Sequence, residues 1–378
     1  MIEKKIFYLA PTDVSERSGV AIACLSYYNA LKELYPGRVV LGMPEEYCVG
    51  QYADAVKIPR RKKIDALLSG CIHRYKSFMK AFLLKHHDEF AAVVINGSVH
   101  AGDMMGMMKR YGMKIIVIHH NYEREYYMQN KSFGTFGGRF PYIITHNERN
   151  AYKKADLNLY LTKQDLELIS TAYGKTKAEN AIISVFDPEL EEYKAAKGDN
   201  TPIVAITGGM RAFQAYKSIE YFEQDYYPIL SKNYPELQLV LAGRSPNPAV
   251  YAFQEHNSDK VTLIPSPPDM DEIIEKALIF LCPTCLGGGL KLHVMDGLRK
   301  GLPVLTHKVS ARGYDVFFDK PFFQVYDSPE TFESGLHTIM TFVNNETNYQ
   351  EKILTIYKDY FGYEAGVKRM ADAMKLLK

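Results

Sequence analysis

The sequence predicts an α/β protein made of two Rossmann-like domains with parallel sheets. Three observations carry that prediction. Short apolar runs alternate with stretches of helical periodicity along the whole chain. The alternation occurs twice, on either side of a polar, charged segment at 187–200 that has no strand pattern. In the second half, one apolar run passes through a glycine triplet into a helical pattern, an arrangement by which such sheets hold anions.

In the first half the expected strands are 6–10, 39–42, 92–96, 114–119, 157–161 and 182–185. In the second they are 203–207, 237–242, 261–264, 277–282, 303–306 and 322–325. Helical patterns fall between them, and helices near 329–343, 348–358 and from 364 to the end close the chain. The domains are therefore 1–186 and 201–360, joined by a linker at 187–200, with a last helical segment at 361–378. Sheets of this kind bind ligands at the C-terminal ends of their strands, and two facing domains would place a cleft there.

Bulk properties narrow the function. With 46 basic and 44 acidic residues the formal charge is +2, which lacks the concentrated basic excess of nucleic-acid binders and excludes that class. No apolar run approaches the roughly 18 residues needed to span a bilayer. The opening run is too short for a secretory leader, so a cytoplasmic location is expected. Five cysteines do not make a disulfide framework, and Cys282 and Cys285 have no second pair to complete a zinc site. They read as small buried residues.

Along the chain, the first strand is followed by a loop containing Gly19 and a helix at 21–34. Arg60, Arg61, Lys62 and Lys63 lead into an amphipathic pattern at 64–84 that carries His73, Arg74, Lys76 and Lys80, with Lys85 beyond it. This basic stretch, 60–85, reads either as solvated surface or as a peripheral contact with anionic lipid at the inner membrane face. The run at 114–119 delivers His119, His120 and Asn121 to a strand end, followed by Glu123. A neutral imidazole there can donate a hydrogen bond to a ligand hydroxyl. Thr162 is placed to cap a helix. Asp269 and Asp271 have the spacing of a metal-binding DxD, but they precede a helix and so read as capping residues. No metal is implied.

The most informative stretch runs from Phe280 to Val304. Pro283 and Gly287, Gly288 and Gly289 break regular structure, and Leu290, Val294, Met295 and Leu298 recur at helical spacing. A helix is thus expected to start just after the glycines and to stop at Gly301 and Pro303. Amides at its N-terminus would face an anion, Lys291 would add positive charge, and Asp296 would accept ribose hydroxyls.

This stretch resembles the donor-nucleotide motif of the group-1 (family 4) glycosyltransferases, which have the GT-B fold of two Rossmann-like domains and a C-terminal helix crossing back to the first. The pattern is Gly-x-Gly, a basic residue, an acid within the helix, then Gly-x-Pro-Val. Gly288 stands where the family's first Glu would be, and Asp296 is one methylene shorter than the usual second Glu. The element His120-Asn121-x-Glu123 resembles the family's acceptor-domain strand end, and the match selects His120 over His119. Glu148 through Asp165 also resembles the family's acidic helix, Ala-Asp, strand and Thr-x-x-Asp sequence.

The resemblance implies a retaining transfer of sugar from a nucleotide-diphosphate sugar to a hydroxyl on a glycan or lipid-linked acceptor. It needs no resident cofactor. The nucleotide sugar is a co-substrate. The residues it nominates for catalysis are His120, Lys291 and Arg211. Donor binding falls to Gly209, Lys217, Arg244, Ser266, Gly287, Gly288, Gly289, Leu290 and Asp296, and the acceptor side to Gly19, Asn121 and Glu123. A sugar-nucleotide epimerase of the same fold, or a catalytically silent partner subunit, are the alternatives left open by the residues themselves.

Overall fold

The computed structural model describes residues 4–16, 18–59, 75–102, 104–129, 139–190, 193, 195 and 202–377. The chain forms two compact units. The first comprises Met1–Leu190, Gly288–Leu290 and Phe361–Lys378, and the second Glu191–Gly287 and Lys291–Tyr360.

The first unit is a parallel sheet with seven strands among the described residues, in the spatial order β3-β2-β1-β4-β5-β6-β7. Its strands are β1 (Lys5–Leu9), β2 (Val39–Pro44), β3 (Val56–Ile58), β4 (Phe90–Asn96), β5 (Lys114–His119), β6 (Leu157–Tyr160) and β7 (Glu179–Ile182). The inner strands β1, β4 and β5 are almost wholly buried because helices cover both sheet faces, which is why they read as continuous apolar runs. Those helices are α1 (Gly19–Leu34), α2 (Tyr75–His86), α3 (Met105–Arg110), α4 (Glu123–Gln129), α5 (Arg139–Lys154) and α6 (Lys163–Tyr173).

Both rims of this sheet depart from the sequence expectation. The short strand β3 has no apolar run to announce it, since its middle residue is the exposed Lys57. On the other rim, β7 pairs through Glu179–Ile182, and the apolar residues beyond it leave the ladder. Ile183 and Val185 are buried in the core instead, and Ser184 between them takes a left-handed φ of 55° that ends the strand. Gly19 is the first residue of α1, so that helix begins two residues earlier than expected.

The second unit repeats the plan with six described strands in the order β10-β9-β8-β11-β12-β13. These are β8 (Ile203–Gly209), β9 (Gln238–Arg244), β10 (Val261–Pro265), β11 (Ile279–Cys282), β12 (Val304–His307) and β13 (Phe323–Tyr326). Its helices are α7 (Phe213–Asp225), α8 (Tyr227–Asn233), α9 (Pro248–His256), α10 (Asp271–Ile274), α11 (His293–Leu298), α12 (Pro329–Asn345) and α13 (Tyr349–Phe361). Asp269 accepts the N–H of Asp271 at 2.8 Å, and Asp271 pairs with Lys300 at 3.0 Å. The DxD spacing therefore serves the start of α10.

The last helix, α14 (Tyr363–Met374), belongs to the first unit. The Asp187 N–H donates to the Phe361 carbonyl at 2.9 Å, and Arg369 Nε donates to the Ile183 carbonyl at 2.9 Å. Gly366 brings the helix backbone directly onto Phe186, where an added Cβ would lie 2.0 Å from the ring. Gly366→Ala is expected to lower stability by about 1–3 kcal/mol through overpacking, read as a reduced urea midpoint.

In each unit the first strand has parallel neighbours on both sides, β1 between β2 and β4 and β8 between β9 and β11. The chain leaves such a strand in opposite directions, and the loops diverge at its C-terminal edge. The candidate residues gather at these edges.

Candidate active site

In the first unit, β5 ends at the His pair. His119 is fully buried, stacks on Tyr160 with ring centroids 4.9 Å apart, and has its Nε2 2.9 Å from Asn158 Oδ1. Asn158 donates its Nδ2 to the Tyr152 carbonyl, which turns Oδ1 toward the imidazole and makes Nε2 the donor. His119 is thereby committed to the core. His120 is 8% exposed, and its Nε2 is buried with no partner among the described residues. Burial, reinforced by His119, lowers its pKa from 6.5 to about 4, so the ring is neutral at pH 7. An unpartnered nitrogen on a neutral ring suits a ligand hydroxyl; His119 also keeps a buried Nδ1 without a partner among the described residues, and differs in that its Nε2 is engaged by Asn158.

Beyond His120, the Asn121 side chain hydrogen-bonds Glu123. The glycine loop reaches the same place through the part of it that clusters with this unit. A Cβ on Gly289 would lie 1.8 Å from Asn121 Oδ1, and the φ of Gly289 is 68°. Two demands, space and a left-handed backbone, thus require glycine here. Gly19 is exposed at the start of α1.

Glu123 is buried beside Glu148 and Asp165, both also buried. Burial first, then the charges of Glu148 and Asp165, push the Glu123 pKa up from 4.5 to about 8. Burial raises Glu148 to about 7, against hydrogen bonds that favour its ionised form. Glu123 is the member that carries the proton.

In the second unit, β8, β9 and β10 end side by side. Gly209 is in register with Arg244, the Met210 N–H donates to the Arg244 carbonyl at 3.1 Å, and the Ser266 N–H donates to the Gly243 carbonyl at 2.7 Å. Ser266 Oγ accepts the Ser245 N–H at 3.2 Å, and both serines hold left-handed φ values near 50°. Such strain in neighbouring non-glycine residues gathers at ligand sites. Gly209, Arg244 and Ser266 are therefore brought together, with Arg211 exposed in the turn after β8. Lys217 is paired within its own helix. Its ammonium lies 2.5 Å from Glu220 one turn along α7.

The glycine loop leaves β11 at the switch point of this sheet. Ser218 of α7 anchors its start, its Oγ accepting the Cys285 N–H at 3.0 Å. Cys285 and the buried Cys282 are both held as thiols by burial, which fits their reading as packing residues. Gly287 (φ 92°) packs on Gln214, whose Oε1 would be 2.9 Å from an added Cβ. The helix then starts later than the sequence suggests. Leu290 and Lys291 are still outside it, and α11 spans six residues from His293. The left-handed φ of Gly289 delays the turn, and so short a helix contributes less dipole than the expected one. Lys291 is fixed through its backbone, because Tyr314 donates its hydroxyl to the Lys291 carbonyl at 2.8 Å. Burial and the Lys291 charge hold His293 neutral, with a pKa of about 4. Asp296 lies in the first turn of α11 and acts electrostatically on Cys282 and Tyr314.

Sequence reasoning missed Gln214, Thr207 and Tyr314. Gln214 Nε2 and Thr207 Oγ1 are buried without a partner among the described residues, at the edge where β8 and β11 part. Two orphaned polar atoms at a switch point mark space for a polar ligand. Only the fold brings them to the loop, so no local motif could have named them.

Residues 201–359 match the family model described as glycosyl transferases group 1. This part of the chain is thus similar to the group 1 glycosyl transferases. Among curated proteins, an uncharacterized 44.6 kDa protein in cps region of Klebsiella pneumoniae is 24% identical over 169 residues, 43% of each chain. Among solved structures, sucrose-phosphate synthase from Thermosynechococcus elongatus superposes with a TM-score of 0.71 at 14% identity, covering 99% of each chain. The Anabaena protein HepE in complex with UDP gives 0.71 at 10% identity, covering 98% of this chain and 99% of that one. The lipopolysaccharide outer core galactosyltransferase WaaB gives 0.66 at 12%, covering 98% and 99%. The glycosyltransferase fold here is GT-B, with both sheets parallel and α14 in the first unit.

The protonated Glu123 gives a signed pH dependence. Its folded pKa of about 8 lies above the ordinary 4.5, so between these values the folded protein holds a proton that the unfolded chain has released. The stability tied to this group is complete below pH 4.5 and is lost as pH rises through 8. Glu123→Gln is expected to flatten the fall of the urea midpoint between those pH values, with Glu148 supplying what slope remains.

Proposed function

We propose that the protein is a retaining glycosyltransferase that moves a sugar from a nucleotide-diphosphate sugar to a hydroxyl of a glycan or lipid-linked acceptor. The observation that carries this reading is the glycine loop at the switch point of the second unit, inside the matched glycosyltransferase domain. There Gly287 has a left-handed φ, and Gln214 and Thr207 offer unpartnered polar atoms. Structures of HepE with UDP and with UDP-glucose support a uridine nucleotide as the first donor to try.

In this reading the bond between the anomeric carbon and the β-phosphate oxygen breaks while the acceptor oxygen bonds the same face of that carbon. The acceptor proton passes to the departing phosphate, and nucleoside diphosphate leaves. Positive charge at Lys291, joined by the exposed Arg211 and Arg244, stabilises the growing charge on the phosphate. Such stabilisation is worth about 3–4 kcal/mol per donor in enzymes generally. Loop amides around Gly287–Gly289 take the phosphate oxygens, and Asp296 and Ser266 take the ribose. On the acceptor side, His120 donates to a hydroxyl of the transferred sugar. Lys217, already paired with Glu220, has the weakest claim to a role.

The basic stretch 60–85 is proposed to bring the protein to anionic lipid where a lipid-linked acceptor resides. Residues 60–74 lie outside the described residues. Of the remainder, α2 packs Met79 and Leu83 into the core and exposes Lys80, Leu84 and Lys85. No helix among the described residues is long and apolar enough to cross a membrane.

A thermal-shift panel of UDP, GDP and ADP tests the donor. UDP is expected to raise the melting temperature, and Lys291→Ala to weaken its binding about tenfold to a hundredfold without unfolding, because Tyr314 holds only the Lys291 backbone. An equal shift in the variant removes Lys291 from the site. Sedimentation with anionic liposomes at low salt tests the membrane contact, which is abandoned if the protein stays in the supernatant.

A further inference from the structure

The chain between β5 and α4 carries His120 and Asn121, and what holds it in place is unusual. Three successive amides, those of Tyr122, Glu123 and Arg124, open a helix that has only seven residues. Amides at a helix start have no acceptor within the helix and are normally capped by the side chain just before it. That residue is Tyr122, which cannot do so. The caps come instead from two other helices. Tyr122 N–H donates to Asp165 Oδ1 at 3.1 Å, Glu123 N–H to Glu148 Oε1 at 2.8 Å, and Arg124 N–H to Glu148 Oε2 at 3.4 Å.

Each capping carboxylate is itself held. The Thr162 hydroxyl donates to Asp165 Oδ2 at 2.6 Å, and the Tyr173 hydroxyl donates to Glu148 Oε2 at 2.7 Å. Glu148 and Asp165 are 0% and 2% exposed, with the Glu123 carboxyl close by. Burying acids together is costly, and a single serine before α4 would cap it at far less expense. What the acids add is a rigid hold on three consecutive residues from two directions. Two residues before this hold lies His120, nine-tenths buried and, at Nε2, without a partner among the described residues.

We propose that Glu148 and Asp165 are positioning residues that fix the segment 120–124 and so aim His120 and Asn121 at the ligand. The aiming role rests on the transferase reading above. The hold itself does not. The titratable and charged groups around this segment are His119, Glu123, Arg124 and Tyr127 along it, Tyr27 from α1, Glu148 from α5, and Asp165 and Tyr173 from α6.

The test follows the His120 ring by NMR titration of the full chain, its signal assigned by its loss in His120→Gln. In the wild type the ring stays neutral down to about pH 4. In Glu148→Gln and Asp165→Asn the loosened segment lets water reach the ring, and its titration midpoint is expected to move up toward the ordinary 6.5. Tyr173→Phe, which removes one brace and keeps both carboxylates, is expected to give a smaller shift in the same direction, and it carries the test if the acid variants do not fold. An unmoved midpoint in the folded variants overturns the proposal. Turnover of UDP-glucose, by transfer or by hydrolysis, is the second readout. It should fall at least tenfold in Glu148→Gln while UDP affinity stays the same. A ring that moves in a protein without turnover fails the transferase reading and leaves the hold standing. A ring that moves with turnover unchanged overturns the aiming role.

Discussion

Parallel pairing on both flanks of one strand is the constraint from which the rest of each unit follows. Parallel neighbours need a crossover that returns the chain to the start of the sheet, so every connecting loop that can bind emerges at the same edge. At that edge the loops after β1 and β4, and after β8 and β11, run apart and leave a crevice. The two units treat it differently. In the first, Asn96 closes it, donating to the Leu9 carbonyl at 2.8 Å and accepting from the Tyr8 hydroxyl at 3.3 Å. In the second, Thr207 and Gln214 stand at the corresponding place with buried polar atoms unsatisfied.

Burial sets the charge states that such chemistry requires. It favours the neutral forms of His120 and Glu123, so the segment after β5 presents neutral donors and acceptors, and it does the same to His293 in the second unit. Positive charge is kept to side chains that reach water, such as Arg211 and Arg244. A neutral buried surface and a charged exposed one are thus produced by depth alone.

Much of the fold is legible from sequence because the central strands, buried on both faces, are continuous apolar runs. The rims are not. Lys57 interrupts β3, and Ser184, by turning left-handed, puts Ile183 and Val185 in the core without putting them in the sheet. The glycine triplet was legible as a loop, yet the onset of the helix was misjudged by three residues because the φ of Gly289 is a property of the contact with Asn121. The strand end that carries His120 was legible as the apolar run 114–119. Gln214 and Tyr314 were not, and Glu148 and Asp165 were legible as a pattern but not as caps of another helix, since their partners are distant in sequence. Lys217 carried the right charge, but Glu220, one turn on, already satisfied it.

The two rims of the seven-stranded sheet have a bearing on handling the molecule. Among the described residues no strand pairs beyond either rim, and an open strand edge is the natural template for aggregation by strand addition. β3 offers just three residues, with a lysine at its centre, and β7 presents the exposed Glu179 and Asn180. A neighbouring chain trying to extend the sheet meets charge on one side and little length on the other. Concentrated solutions should therefore resist fibrous association through these edges.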